Sequence, residues 1–348
     1  MADPTPFPAP ASGGPSIHSS VYLDAYLAPF RPWLARPGVT EILVNRPGEI
    51  WIEDAQWPEM RRFDAPEVTD ATMARLAEQV ARVTHQGVNR ESPLLAATLP
   101  APLVPGGARI QLCGPPATRA HWAMAIRRQR LIDLTLDAYD HGPLPRSAPS
   151  ELPDPTTAPI AALRAAIAGR RTILISGGTS TGKTTFLNAM LREIPATERI
   201  VLVEDTPELK LPDQGNGIGL IAVKGDLGEA RVTTDDLVQA ALRLRPDRIV
   251  VGELRGREAV SFLRAINTGH PGSFSTVHAN SPMGALEQIG LMVMQAGLGL
   301  SRRETLAYAA SVIDLVVQLD RNGGQRRIAA IADTRALVTD ALDEKSAH

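Results

Sequence analysis

The sequence predicts an α/β protein with two domains, the second of which contains a mainly parallel sheet. The chain has 348 residues, a length that favours two domains over one. Beyond residue 159, apolar segments with the length of strands alternate with segments of helical periodicity. A glycine-rich segment, Gly177–Thr184, separates an apolar strand from a helix in this region.

The first 130 residues predict a disordered tail followed by a smaller α+β domain. Residues 1–19 are rich in Pro, Ser, Gly and Ala without periodicity, which is typical of disorder. The N-terminal domain is expected to span residues 20–130. A helix is expected after Asp70, because apolar residues recur there at helical spacing until Gly87 lies beyond its end. The strands predicted in this domain are Val39–Val44, Ile50–Glu53, Arg109–Leu112 and Ala123–Ile126.

A proline-rich segment divides the two domains. Residues 131–157 have little periodicity and are interpreted as a linker. The second domain is expected over residues 158–337, with a C-terminal tail at 338–348. Two of its helices are marked by a capping box at Thr233 and Asp236 and by an apolar stripe that ends at Gly269. Its predicted strands are Thr172–Ser176, Ile200–Val203, Ile249–Val251, Phe274–Val277, Val312–Leu319 and Ile328–Ile331.

The composition limits the classes of function. It is 44% hydrophobic and 21% charged, as in ordinary globular proteins. The net charge is −2, so no strong binding of nucleic acid is expected. The one cysteine, Cys113, excludes an internal disulfide and suits a reducing compartment. Neither a signal peptide nor an apolar run of about 18 residues is visible, which predicts a cytosolic protein that reaches a membrane only through partners.

The segment from Gly177 to Thr184 fits the phosphate-binding pattern G-x-x-x-x-G-K-[ST] without a mismatch. A chance glycine-rich turn is the alternative, but the strand before it and the helix after it are the context that the motif requires. In this motif, backbone N–H groups surround the phosphates, Lys183 reaches the β- and γ-phosphates, and Thr184 offers its hydroxyl to Mg²⁺. The predicted nucleotide-binding residues are Gly178, Thr179, Ser180, Thr181, Gly182, Lys183, Thr184 and Thr185.

Acidic residues and a histidine follow three other predicted strands. Glu204 and Asp205 follow the strand Ile200–Val203. Glu253 comes just after the strand Ile249–Val251, and His278 follows the strand Phe274–Val277. Parallel topology brings the carboxyl ends of strands to one edge, so these groups are expected near the phosphate loop. We interpret Glu253 and Glu204 as catalytic and Asp205 and Glu253 as metal ligands. A solvated acidic turn, a surface glutamate and a structural histidine are the alternatives.

Four segments occur in the order seen in secretion-superfamily ATPases. They resemble its phosphate loop, Asp box, Walker B segment and His box, and are Gly177–Thr184, Val203–Leu209, Leu244–Arg255 and Thr268–Asn280. Residues 39–45 and 48–51 also resemble the start of the N-terminal domain of type IV secretion traffic ATPases, a branch that includes conjugal DNA-transfer ATPases. The resemblance covers roughly residues 38–335, and no four-cysteine zinc module of the type II branch is visible.

The resemblance implies a RecA-like P-loop NTPase domain, ATP and Mg²⁺ as cofactors, and a homo-hexameric ring. It also implies work at the cytoplasmic face of the bacterial inner membrane, with other type IV secretion ATPases and inner-membrane channel subunits. By the same resemblance Lys183 neutralises phosphate charge and His278 reports the γ-phosphate. Arg127 and Arg128 match basic residues that approach the phosphates, and Arg255 is a further candidate.

The main hypothesis is therefore a Mg²⁺-dependent ATP hydrolase that powers substrate translocation or pilus assembly. An ATP-binding ring that organises other secretion ATPases, with little turnover of its own, is a second hypothesis. A nucleic-acid translocase is disfavoured by the net charge of −2. A small-molecule kinase is disfavoured by the motifs that follow the phosphate loop. The sequence leaves open whether the cargo is DNA or a protein effector.

Overall fold

The computed structural model describes residues 17–99, 103–104, 106–128, 152–211, 215–225 and 231–343. The predicted tail (1–19) and linker (131–157) therefore lie largely outside the described residues. Helix α1 begins at Ile17, so the expected tail and the first helix overlap by three residues. The domain boundaries given above stay a prediction.

The N-terminal part consists of an antiparallel sheet with helices packed on it. The six strands have the spatial order β3-β2-β1-β6-β5-β4. They are β1 (Val39–Val44), β2 (Gly48–Asp54), β3 (Arg61–Ala65), β4 (Leu94–Leu99), β5 (Ala108–Cys113) and β6 (Ala123–Arg128). The helices are α1 (Ile17–Tyr26), α2 (Arg31–Leu34) and α3 (Asp70–Val83), with a short 3₁₀ turn at Ala28–Phe30.

Helix α3 shows why this part folds as the sequence predicts. The Thr69 hydroxyl accepts a hydrogen bond from the backbone N–H of Thr72 and so caps the first turn. Met73, Leu76 and Val80 lie on one face of the helix and are buried against the sheet. The four predicted strands are all present, and β3 and β4 add an edge strand on each side.

The C-terminal part contains a seven-stranded sheet of order β15-β14-β7-β13-β12-β8-β9. Every neighbouring pair is parallel except β14 and β15. The strands are β7 (Ile173–Gly177), β8 (Ile200–Glu204), β9 (Gly217–Ile221), β12 (Arg248–Val251), β13 (Phe274–Val277), β14 (Leu315–Asn322) and β15 (Gln325–Asp333), with a small ribbon of β10 (Val223–Lys224) and β11 (Arg231–Val232). The helices are α4 (Pro159–Ala168), α5 (Lys183–Leu191), α6 (Thr234–Ala241), α7 (Glu258–Asn267), α8 (Pro282–Gln295), α9 (Arg302–Val312) and α10 (Thr334–Asp343).

Helices cover both faces of this sheet, as a parallel sheet requires. Residues of α4 and α5, such as Leu163 and Leu187, pack on one face with the apolar side chains of β7. Residues of α6 to α9, such as Leu237 and Phe262, pack on the opposite face. One predicted strand begins too early, because Val312 lies in the last turn of α9 and β14 starts at Leu315.

The two parts of the chain share a core and main-chain contacts. Cys113 of β5 is buried in the same cluster as the side chains of β8 and β12. The turn between β5 and β6 forms a β-bridge between Thr118 and Leu220 of edge strand β9. The N–H of Ile221 also donates to the carbonyl of Ala117 at 2.9 Å. This turn therefore pairs with the sheet edge that β9 would otherwise leave open. No helix within the described ranges has the length and apolar content needed to cross a membrane.

Candidate active site

The phosphate loop joins the buried strand β7 to helix α5. Helix α5 begins at Lys183, and Gly182 before it has a φ of +89°. That left-handed conformation favours glycine, and it turns the first N–H groups of α5 toward the cavity. Gly177 is also required, because a Cβ there would lie 2.4 Å from the Thr181 hydroxyl. The loop has the backbone that the motif requires to surround an anion.

The loop forms one wall of a cavity at the carboxyl edge of the sheet. All the predicted nucleotide-binding residues from Thr179 to Thr185 line it, and Gly178 lies directly behind them, where its carbonyl accepts from the Thr181 hydroxyl at 2.9 Å. The predicted acidic and histidine residues close the cavity from β8, β12 and β13. The residues contributed from outside the loop include Glu204, Asp205, Glu208, Thr234, Glu253, Arg255, His278 and Arg326.

Lys183 lies at the centre of this cavity and is largely buried. Its ammonium donates to the carbonyls of Gly177 at 2.9 Å and Gly178 at 3.3 Å. It also lies 3.2 Å from Nδ1 of His278. Burial lowers the pKa of the Lys183 ammonium, and the charge of Glu253 acts in the opposite direction. The ammonium is thus held beside the loop, within reach of any phosphate that the loop binds.

Glu253 connects Lys183 to a network of charged side chains. Its Oε1 lies 2.7 Å from Nε2 of His278, and its Oε2 accepts from Nε of Arg255 at 2.7 Å. The carboxylate is 17% exposed. Arg255 also lies 3.4 Å from Asp205, whose other oxygen accepts from the Thr234 hydroxyl at 2.7 Å. The structure therefore brings Lys183, His278, Glu253 and Asp205 into one connected group.

Glu204 has different surroundings from the other acids. It is only 3% exposed, and its Oε1 accepts from the backbone N–H groups of Glu208 at 2.9 Å and Leu209 at 2.7 Å. Its Oε2 forms an ion pair with Arg119 of the N-terminal part. Both carboxylate oxygens are thus engaged in holding the loop after β8, and these contacts favour a structural role over a catalytic one.

The structure does not bring Arg127 and Arg128 to the cavity of their own chain. Arg127 lies on β6 and forms an ion pair with the buried Glu41. Arg128 donates to the carbonyls of Arg36 and, at 3.2 Å, Val39. Burial raises the pKa of Glu41 to about 7, although Arg127 acts to lower it. The predicted contact of these arginines with nucleotide would require the cavity of a neighbouring subunit, and it stays a prediction.

Two arginines near the site were missed by sequence reasoning. Arg119, in the turn before β6, donates to Glu204 and, at 2.7 Å, to the carbonyl of Leu209. Arg326 lies on β15 and lines the cavity beside the phosphate loop. No motif marks Arg119. For Arg326 there was a weak signal, since Gly323 and Gly324 indicate a hairpin turn just before it.

Comparisons with known proteins agree with this geometry. Residues 155–341 match the family described as Type II/IV secretion system protein. The chain is 39% identical over 319 residues to the type IV secretion system protein PtlH homolog of Bordetella bronchiseptica, covering 87% of this chain and 91% of that protein. It is 33% identical over 332 residues to the type IV secretion system protein VirB11 of Bartonella quintana, covering 88% and 91%.

A solved structure extends the similarity to the whole fold. The VirB11 ATPase from the Brucella suis type IV secretion system, in complex with sulphate, superposes with a TM-score of 0.82. It is 30% identical and covers 94% of this chain and 98% of that one. The prediction of a RecA-like P-loop NTPase domain with a smaller α+β N-terminal domain is confirmed. The chain belongs to the type II/IV secretion system protein family, as a VirB11-like type IV secretion ATPase.

Proposed function

We propose that this protein hydrolyses ATP with Mg²⁺ and uses the energy to drive a type IV secretion system. The observation that supports this most is the connected group of Lys183, His278 and Glu253 next to the phosphate loop. Phosphoryl transfer depends mainly on positioning and on neutralising charge, and these side chains supply a cation, a hydrogen-bonding ring and a carboxylate.

The residues of the cavity have distinct roles in this proposal. The N–H groups at the start of α5 bind the phosphates, and Lys183 neutralises the charge of the β- and γ-phosphates. Thr184, Asp205 and Glu253 offer the oxygen donors that Mg²⁺ prefers, and such ions are usually held by one or two carboxylates together with phosphates. When bound, Mg²⁺ would neutralise phosphate charge and fix the orientation of the phosphate oxygens.

Glu253 is proposed as the group that orients the attacking water. Its carboxylate is positioned by His278 and Arg255 on either side, so its direction is fixed before any substrate enters. His278 contacts both Glu253 and Lys183. A γ-phosphate that drew the Lys183 ammonium away would therefore change the contacts of the His278 ring directly. Glu204 holds the loop that carries Asp205 and acts as a positioning residue.

The assembly and its location belong to the same proposal. We infer a homo-hexameric ring at the cytoplasmic face of the inner membrane, which acts on channel subunits and other secretion ATPases. The naming of the similar PtlH and VirB11 proteins as type IV secretion components supports this. In such a ring Arg127 or Arg128 would complete the site of a neighbour.

Phosphate release by the purified protein tests the enzymatic proposal. With Mg²⁺ and ATP, Glu253→Gln should lower the turnover rate by at least about 100-fold while ATP binding is kept, since a positioned base contributes on that order. Lys183→Ala should lose turnover through weaker phosphate binding, with the fold retained. Glu193→Gln is a matched control, because that carboxylate lies on the surface in an ion pair with Arg164.

Two results would overturn the proposal. Wild-type protein that binds ATP but releases phosphate no faster than the Glu253→Gln variant would leave an ATP-binding ring as the function. Normal hydrolysis by Lys183→Ala would show that the phosphate loop is not the site of the reaction.

A further inference from the structure

Arg326 is an arginine of the cavity that the proposed hydrolysis does not use. It lies on β15, where its stem packs against the phosphate loop. A Cβ built on Gly182 would be 2.7 Å from Cδ of Arg326 and 3.2 Å from its Nε. Glycine at position 182 therefore serves a second purpose, since it leaves room for the Arg326 side chain to cross the loop.

The Arg326 guanidinium has no acidic partner within the described part of the chain. Its cross-strand neighbour on β14 is Arg321, which is a like charge and disfavours the pairing. The next residue, Arg327, behaves differently because it forms an ion pair with Asp320 at 2.8 Å. An exposed guanidinium that has no acidic partner among the described residues, and that is held against a ligand-binding loop, is available to a ligand.

The sheet order indicates which end of a nucleotide Arg326 faces. Strand β7, which carries the phosphate loop, has β13 and β12 on one side and β14 and β15 on the other. Glu253 and His278 follow β12 and β13, so the terminal phosphate must point toward that side. A nucleotide in this orientation extends its nucleoside end toward β14 and β15, where Arg326 lies.

The cavity lining supplies little else for a base to pack on. Neither Phe, Tyr nor Trp occurs among the described residues that line it, in a chain with only 4% aromatic residues. The imidazole of His278 and the guanidinium of Arg255 are both engaged with Glu253. A guanidinium is planar, weakly hydrated and stacks well on aromatic faces, whereas a lysine ammonium does not present such a plane.

We propose that Arg326 is the base-binding residue of this site and that its guanidinium stacks on the base of the bound nucleotide. The proposal rests on the proposed function, because it assumes that a nucleoside triphosphate occupies the loop. The strength of stacking depends on the area of the base and not on the groups along its hydrogen-bonding edge. ATP and GTP should therefore both bind more tightly than CTP.

Equilibrium binding to full-length protein, measured by calorimetry with ATP and with inorganic tripolyphosphate, tests the proposal. Arg326→Ala and Arg326→Lys should both weaken ATP binding about five- to twentyfold, since lysine keeps the charge but not the plane. Both variants should bind tripolyphosphate as the wild type does, because that probe has no base. The preference for ATP over CTP should disappear in Arg326→Ala.

Control variants separate this proposal from the proposed function. Arg327→Lys, one residue away on the opposite face of the hairpin, should leave both affinities unchanged. Lys183→Ala should weaken ATP and tripolyphosphate alike. A wild type that binds ATP without hydrolysing it would contradict the proposed function and leave the stacking test intact.

Three outcomes would overturn the stacking role. ATP binding by Arg326→Lys as tight as that of the wild type would indicate a contact of charge alone. A loss of tripolyphosphate affinity in Arg326→Ala equal to the loss of ATP affinity would place the guanidinium on the phosphates. Unchanged ATP binding in Arg326→Ala would show that the residue contacts no part of the nucleotide.

Discussion

The ion pair between Arg119 and Glu204 should couple the stability of the two parts of the chain. Glu204 is 3% exposed on its side chain and Arg119 is 28% exposed. Replacing Arg119 with Met would leave a buried carboxylate that still accepts from two backbone N–H groups. A buried pair broken at one partner costs about 3–5 kcal/mol. Because water reaches Arg119 and two donors remain, we expect about half of that, roughly 2 kcal/mol.

A double-mutant cycle separates the ion pair from the other effects of each substitution. Glu204→Gln loses the charge but keeps most of the volume, and the Arg119→Met, Glu204→Gln double variant contains no unpaired charge. The pair should therefore show a coupling free energy of about 1–2 kcal/mol in the cycle. Urea unfolding gives the free energies from the midpoints and slopes.

The distribution of tryptophan makes the assay specific. All four Trp residues lie in the N-terminal part, at positions 33, 51, 57 and 122. Trp33, Trp57 and Trp122 pack against the core of that part, whereas Trp51 packs against the core shared with the C-terminal sheet. Fluorescence therefore reports mainly the N-terminal part, and far-ultraviolet circular dichroism reports both. In the wild type the two transitions should coincide, and in Arg119→Met they should separate. The exposed arginine of the Arg164–Glu193 surface pair is the control, and its replacement with Met should leave the unfolding free energy unchanged.

A cost for Arg119→Met no larger than that of the Arg164 control would show that the Arg119–Glu204 pair does not stabilise the fold. Coincident transitions in Arg119→Met would show that the ion pair does not hold the two parts together.

Three further predictions follow from buried contacts. Gly219→Ala should displace Arg119, because the Nε of Arg119 would lie 2.4 Å from the new Cβ. Its loss of unfolding free energy, measured by urea unfolding, should therefore resemble that of Arg119→Met, and the two losses should not add in the double variant. Glu41 has a folded-state pKa raised to about 7 from 4.5, so the folded state binds the proton more tightly and stability falls as pH rises from about 4.5 to 7. Glu41→Gln should remove about 3 kcal/mol of that fall between pH 4 and pH 8, measured from the unfolding free energy at each pH against wild type. Arg248 is fully buried and donates to both oxygens of Glu198, so Arg248→Met should lower the unfolding free energy by about 3–5 kcal/mol, and a loss under 1 kcal/mol would contradict the role of that pair.

The sequence predicted those parts of the site that depend on local pattern and parallel topology. The loop from Gly177 to Thr184 has its own signature, and the acids follow short apolar runs, which favour buried strands. Parallel pairing then gathers the ends of those strands without any knowledge of side-chain packing. For this reason the sequence alone predicts that Asp205, Glu253 and His278 lie near Lys183.

Some features that the sequence did not predict depend on contacts between distant segments, and others have weak or overlooked local signals. Arg119 reaches Glu204 across 85 positions of the chain, and its turn has no motif. Strand β9 was missed because its five residues, Gly217–Ile221, include two glycines and resemble a loop. Helix α8 was also missed, although Ser281 caps it and Pro282 begins it, which is a usual start signal. The surroundings of Arg127 depend on how β6 packs beside β1, which no local pattern reveals.

The burial of Cys113 has a practical consequence. Its side chain is fully enclosed, and burial raises the pKa of the thiol to about 12. Because the thiolate is the reactive form, this sulfur should not react with maleimide reagents at neutral pH in the folded protein. A cysteine introduced on the surface would then be the one site that takes a fluorophore. Distance changes on addition of nucleotide can thus be followed without first removing the native residue.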